Sequence, residues 1–480
     1  MTSLAGAQVL SAGMPKAEPL SARKQMVDKS QLPGTVFQRI EKLQDRSPFI
    51  IVILACLVGT LTGLIGSAFQ LAIARIIEWR LHSTSLLGDA TAAKYLLAFL
   101  IPAVMGFVAY YLVKQYAPES SGSGIPEIEG ALLDLRPVRW ARVLPVKFFG
   151  GLASLGSGMV LGREGPLVQM GANLGKMVSD ISHYDKQKTQ YALVAAGAGA
   201  GITAAFNAPL GGIIFVIEEM REEFKYSEAS IKAVIAACVC ACIAYQMIIG
   251  TSPILYLGQA ALAPISSLWI CIVLGIFLGI LGVLSNHSII RTRQALDKLY
   301  DKNRWIFPCT GFVIAGLIGV VGLASPQFTG GGFAIIPDVI AGAYALWPLL
   351  VILLVRLLLT VLSFGSGAPG GVFSPTLALG TVAGVSFGLL MDQLMPAPAL
   401  PMMTYAILGM AGLFAATIRA PLTGIVIVIE MTGSYALILP LVLTCLASTL
   451  TAQTLGGLPL YSAMLDNTLA KLGIQRKHEA

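Results

Sequence analysis

Residues 208–218 read APLGGIIFVIE, and residues 420–430 read APLTGIVIVIE, 212 positions later. An apolar echo of this length, opened by proline and closed by glutamate, points to a chain built from two related halves. Two further echoes keep the same order. GREGPLVQMGANLG at 162–175 aligns with GAPGGVFSPTLALG at 367–380 at an offset of 205, with three glycines matched. GSG at 122–124 aligns with GGG at 330–332 at an offset of 208. Paired segments interrupted by Gly and Pro are the sequence sign of a transporter whose site lies near the bilayer midplane.

Composition agrees. The 480 residues are 56% hydrophobic and 12% charged, and the mean hydropathy is +0.77. A soluble domain carries about 25% charged residues, so lipid must cover much of this chain. A net charge of +7 without a basic stripe of interleaved aromatics excludes nucleic acid as a partner. Clear apolar segments lie near 49–77, 95–114, 231–249, 266–286, 309–324, 347–362 and 438–455. Between them run shorter pieces, such as 165–182, 190–201, 208–220 and 420–432. A straight span needs about 20 residues. The short pieces are therefore expected to tilt or to end inside the bilayer, where only protein or a water-filled cavity can surround a broken helix. The fold class is an all-α polytopic membrane protein.

The domain division follows. Residues 1–46 form a polar cytoplasmic segment, too polar and too long before the first apolar run for a secretory signal, with an interfacial helix over 30–46. Residues 47–250 and 251–465 form the two membrane halves, and 466–480 a cytoplasmic tail. Basic residues at both ends place both in the cytoplasm. The seven cysteines contain no CxxC pair, and Cys238, Cys240 and Cys242 alternate faces of a helix. No metal or cofactor site is expected. His82, His183, His287 and His478 lie outside the motifs and are expected in solvated loops or at helix ends. No HExxH and no cofactor fingerprint occurs, so an enzyme is not expected.

Three glycine-rich leads carry the chemistry. In GSGIPEIEG, Gly122, Ser123 and Gly124 free the backbone, and Ile125 and Pro126 suit a first helical turn. A helix start offers unpaired amides and a positive dipole end to an anion, and Ser123 adds a hydroxyl. An ordinary helix cap explains that stretch as well. Gly162, Arg163, Glu164, Gly165 and Pro166 repeat the device with a carboxylate at its mouth. A carboxylate at membrane depth costs about 2.5–3.5 kcal/mol on insertion scales and marks function by default. Glu164 mimics an anion: ionised, it can take the anion's place on the helix start, and protonated, it must let go. A salt bridge to Arg163 is disfavoured, since adjacent helical residues do not face each other. In Gly371, Val372, Phe373, Ser374 and Pro375, the Val372 and Phe373 amides are candidate donors for a weakly held ion.

Glu218 and Glu219 point about 100° apart on a helix and cannot share one role. Glu218 matches Glu430 in the repeat, whereas Glu219 matches Met431. Glu164, paired at its offset with Pro369, breaks the symmetry too. Glu218 and Glu430 are thus assigned to architecture, and Glu164 and Glu219 to proton handling. A helix-end carboxylate in water is the alternative for Glu219. Tyr461, after the last apolar helix, offers one directed hydrogen bond from an apolar wall, or serves as an interfacial belt residue.

GSGIPE, GREGP, GGVFSP and the late tyrosine, in this order, resemble the ClC family of chloride channels and proton/chloride exchangers, from about residue 35 to 472. The bacterial exchangers of the inner membrane are the nearest resemblance. It implies two inverted halves, about eighteen mostly tilted helices, and a homodimer with one pathway per subunit. It implies that Ser123 and Tyr461, with the amides of Val372 and Phe373, hold a central chloride. Glu164 would then be the external gate and Glu219 the internal proton-transfer group, with two chlorides exchanged per proton. Paired regulatory domains of eukaryotic members are not expected after residue 480. A passive chloride channel shares this fold, and retention of both glutamates favours exchange. An organic-solute transporter would need a cationic or hydrogen-bonding cluster that the motifs lack.

Overall fold

The computed structural model describes 34–86, 91–183, 186–220, 227–255, 257, 264–394 and 400–474, with side chains at all of these except 34–48, 91 and 186–188. The expected N-terminal segment and the end of the tail lie mostly outside these residues. Met1–Pro48 and Phe49–Ala480 are separate units. The first is described only where it forms the opening turns of a helix.

Among the described residues there are seventeen α-helices. In order they are α1 (Gly34–Ser85), α2 (Thr91–Tyr116), α3 (Ile125–Leu132), α4 (Trp140–Gly156), α5 (Glu164–Ser182) and α6 (Lys186–Phe206). They continue with α7 (Pro209–Glu218), α8 (Glu228–Ile249), α9 (Leu268–Tyr300), α10 (Ile306–Ala324), α11 (Ile336–Ile340) and α12 (Leu346–Gly365). The last are α13 (Phe373–Leu394), α14 (Met402–Ile418), α15 (Pro421–Thr432), α16 (Ile438–Thr454) and α17 (Leu460–Lys471). The count agrees with the expected all-α architecture of about eighteen helices. Helix α9 runs past the apolar stretch ending at 286 through polar turns to Tyr300. His287 lies on an exposed face within α9 rather than at a helix end or in a loop, which corrects that reading.

Among the described residues, eight helices are long and apolar enough to cross a membrane. Their large apolar side chains face outward, as with Leu57 and Leu71 on α1 or Leu354 and Leu358 on α12, because lipid rather than water is the outer solvent. The span Phe373–Leu394 differs: 89% of its apolar window is buried, against 39–44% for the other seven. Helix α13 is therefore central. It packs on α14, and α5 packs on α6, with the same device. A Cβ on Gly171 would stand 2.1 Å from the Gly197 carbonyl, and one on Gly380 2.2 Å from that of Gly409. Small residues let membrane helices approach to backbone contact.

Among the described residues, one antiparallel bridge joins the two halves. Gly162 N–H donates to Gly371 O at 2.8 Å, and Gly371 N–H to Gly162 O at 2.7 Å. Each residue makes the same bond to the other, so the bridge is a local two-fold centre. Around it, Gly122 N–H donates to Gly367 O at 3.2 Å, and Gly330 N–H to Gly158 O at 2.9 Å. This corrects the alignment of the second echo. The structural partner of Gly162 is Gly371, an offset of 209, and Pro166 pairs with Pro375 at the third position of each helix. The partner of Glu164 is therefore Phe373, not Pro369. Matched glycines set the offset of 205 in sequence, whereas the helix starts set it in space.

Candidate functional site

The three leads converge beside this bridge. Gly124 caps α3 in the left-handed region (φ +87°), with Pro126 in the first turn. That turn directs the loop holding Ser123 toward α5. Gly165 closes the approach: a Cβ there would lie 2.6 Å from Ser123 Oγ and 3.0 Å from Gly371 Cα. Any larger residue would separate the GSG, GREGP and GGVFSP segments.

Glu164 opens α5 and is fully buried. Its carboxylate reaches across to the start of α13. Ser374 N–H donates to Oε1 at 3.2 Å and Ser374 Oγ–H to Oε2 at 2.9 Å. The Phe373 amide also faces the carboxylate. A helix N-terminus attracts negative charge through its unpaired amides and dipole. Arg163 does not pair with Glu164: its Nε and Nη2 donate to Ala205 O at 3.1 and 2.9 Å.

Below this cradle, the Ser123 hydroxyl and the Tyr461 phenol face one another. Both residues are buried, and neither oxygen has a hydrogen-bond partner among the described residues. Buried hydroxyls are normally satisfied. Two orphans pointing at one spot fit a site that takes an anion from two donors. The Phe373 ring supplies an apolar wall. It stacks on Phe206, meets Phe215 and Phe414 edge-on, and lies 5.7 Å from the Tyr461 ring. Val372, just ahead of α13, is likewise buried.

Glu219 is not in this cluster. It is the half-buried C-cap of α7, near enough for its charge to act on the Tyr461 phenol. Its neighbour Glu218 turns away to cap α15, accepting from Leu422 N at 3.0 Å, Thr423 N at 2.7 Å and Thr423 Oγ1 at 2.8 Å. Glu430 returns the contact, accepting from Leu210 N at 3.1 Å and Gly211 N at 2.7 Å. The matched pair is a reciprocal helix cap, and the unmatched Glu219 is left for another role.

A cavity of about 230 Å³ has Ser123 in its lining. Arg136, Arg293 and Lys471 line it with Glu127 and Asp297. Arg136 pairs with Glu127 at 2.8 Å, and Asp297 takes both Arg293 and Lys471.

A family model for the voltage gated chloride channel matches residues 105–453. This chain belongs to that family. Two bacterial relatives lie within it, each named H(+)/Cl(-) exchange transporter ClcA, from Salmonella arizonae and Citrobacter koseri. Each is 48% identical over 440 residues, covering 91% of this chain and 92% of the relative. The X-ray structure of a slow cyanobacterial Cl-/H+ antiporter matches with a TM-score of 0.84 and 37% identity, covering 88% of this chain and 99% of that one.

One pair of buried cations in this family member escaped the sequence reading. Lys147 donates to Ser120 O at 3.0 Å and to Gly122 O at 2.7 Å. Arg356 donates to Gln327 O at 2.9 Å, Thr329 O at 3.2 Å and Gly330 O at 3.1 Å. They are 209 positions apart, the offset of the bridge. Each ties the carbonyls of one glycine-rich loop in the fold. The signal was present: both cations interrupt apolar runs, in LPVKFFG and LLVRLLL, and a charge at membrane depth is a functional candidate.

Proposed function

We propose that this protein is a secondary active antiporter that exchanges chloride for protons across a bacterial inner membrane, two chlorides per proton. The observation that carries the reading is Glu164 seated on the start of α13, an anion mimic in an anion cradle. Chloride enters through the Arg293-lined cavity and is held by Ser123, Tyr461 and the amides of Val372 and Phe373. It moves outward by displacing the Glu164 carboxylate, which takes a proton when it leaves the cradle. Glu219 passes protons between the cytoplasm and Glu164. The names of the relatives support this reading. All these residues lie on one chain, which supports one pathway per subunit; the homodimer and the cytoplasmic placement of both termini belong to the same proposal.

The test uses purified protein in chloride-loaded liposomes, with an outward chloride gradient and the potential clamped by valinomycin and potassium. Chloride efflux should drive proton uptake against its gradient. Glu219→Gln should keep chloride movement and lose proton movement. Chloride efflux with no pH change in the unaltered protein would identify a passive channel instead.

A further inference from the structure

A second cavity of about 230 Å³ lies away from the ion pathway, between the C-terminal end of α2 and the N-terminal end of α10. Tyr111, Lys114, Gln115, Arg304, Trp305 and Pro308 line it. Lys114 and Arg304 come from different elements, and both are exposed. Neither enters an ion pair among the described residues, although carboxylates hold other cations at this end of the molecule, such as Arg136, Arg142 and Lys471. The aromatic side chains form an ordered wall. Phe107 stacks on Tyr111 at 6.1 Å, Tyr111 on Trp305 at 6.3 Å, and the Arg304 guanidinium sits 5.5 Å from the Trp305 ring. Arg304 is thereby held at the cavity mouth instead of moving freely in solvent.

Two unneutralised cations converging on one cavity call for a divalent or diester anion. The setting selects among anions. Tyr and Trp mark the headgroup level of a bilayer. The same end of the molecule carries Arg136, Arg139, Arg142, Lys298 and Lys302, whereas 250–264 and 325–345 contain no Lys or Arg. That asymmetry puts the cavity at the cytoplasmic leaflet. Leading away from it, α2 and α10 expose Val104, Val108, Val313 and Leu317, a surface for acyl chains. Basic pockets between membrane helices on this side suit phospholipid headgroups.

We propose that this cavity binds the phosphate of an anionic phospholipid, with Lys114 and Arg304 as its counter-charges and Tyr111 and Trp305 as headgroup anchors. The occupant is a lipid and not a free phosphate, because only a lipid would also use the apolar surface below. Two cations at the surface should favour phosphatidylglycerol over phosphatidylcholine by about thirtyfold.

The experiment titrates delipidated protein in neutral detergent with either lipid and counts tightly bound lipid per subunit by native mass spectrometry. The unaltered protein should hold one more phosphatidylglycerol than the variant Lys114→Gln/Arg304→Gln, with the thirtyfold preference lost at that position. The charge-keeping variant Lys114→Arg/Arg304→Lys should retain it. Equal chloride efflux from neutral-lipid vesicles would show that the double variant is folded. Undiminished phosphatidylglycerol binding by the glutamine variant would overturn the proposal. So would displacement of the bound lipid by an equal concentration of inorganic phosphate, which would mark a free-anion site.

Discussion

If Glu164 and chloride compete for the start of α13, weakening the carboxylate should help the anion. Ser374→Ala is the cleanest perturbation. It deletes the hydroxyl that donates to Oε2 at 2.9 Å and leaves the Ser374 amide, 3.2 Å from Oε1, in place. A hydrogen bond to a charged acceptor contributes about 1.5–3 kcal/mol. At about 1.4 kcal/mol per decade, that is about tenfold to a hundredfold in the occupancy ratio of carboxylate to anion. Taking the lower end, because the remaining amides can tighten, the chloride concentration for half-maximal efflux should fall about tenfold. The assay is initial chloride efflux from proteoliposomes over a range of internal chloride. A cycle with Glu164→Ala separates this cause from others, since it isolates pairwise coupling. In the Glu164→Ala background the serine substitution should change half-saturation by less than about twofold. A half-saturation that stays put in the single variant, with the protein folded, would refute the competition. A tenfold fall in both backgrounds would refute the role of the carboxylate in it.

The remaining expectations concern architecture. Glu218→Gln and Glu430→Gln should each lower stability in detergent by about 1.5–3 kcal/mol, read as thermal midpoint. The Glu218 change should be the larger, since that carboxylate accepts from three donors and Glu430 from two. Gly165→Ala drives a methyl group to 2.6 Å from Ser123 Oγ, so chloride binding by calorimetry should be lost while the helical circular dichroism is kept. Lys147→Met leaves the Ser120 carbonyl buried without its donor, a cost of about 1–3 kcal/mol. Gly122 O keeps the Gly370 amide at 3.1 Å. The loop should therefore loosen but not collapse, and chloride affinity should fall several-fold with proton coupling intact.

Helix starts were legible because Gly and Pro punctuate them, and α3, α5, α7, α13 and α15 begin at the residues their motifs indicated. The architectural role of Glu218 and Glu430 was legible too, since identical residues in matched segments imply matched surroundings. What escaped was register across the two halves. At an offset of 205 the glycines of GREGP align well, yet the helix turns do not, and only the Gly162–Gly371 bridge fixes the pairing at 209. Lys147 and Arg356 each show as a charge inside an apolar run, but their equivalence was hidden for the same reason: the two residues differ, and they match only at the right offset. The partners of these cations are carbonyls, which every residue carries, so no side-chain pattern announces them.

The symmetry explains why so few residues need carry the direction of transport. A perfect two-fold about the Gly162–Gly371 bridge would present the same site to both membrane faces and could not tell an inward proton from an outward one. The structure keeps the two-fold where it bears load: in the crossed loop bonds, in the buried cations, and in the exchange of caps between α7 and α15. It departs at two places that the proposed function assigns to the ions. At the helix starts a carboxylate, Glu164, stands opposite an aromatic ring, Phe373, so one half offers a charge that can leave and the other a wall that cannot. At the helix ends a half-buried Glu219 stands opposite Met431, which is fully buried, so one half has an ionisable group at that position and the other has none. Both departures put the carboxylate in the first half. Under the proposed assignment, a proton moving between Glu219 and Glu164 would stay within that half, while the second would contribute the Phe373 wall, the α13 amides and Tyr461 to the anion. On that proposal, separate routes for the two ions would follow from breaking the repeat twice on the same side.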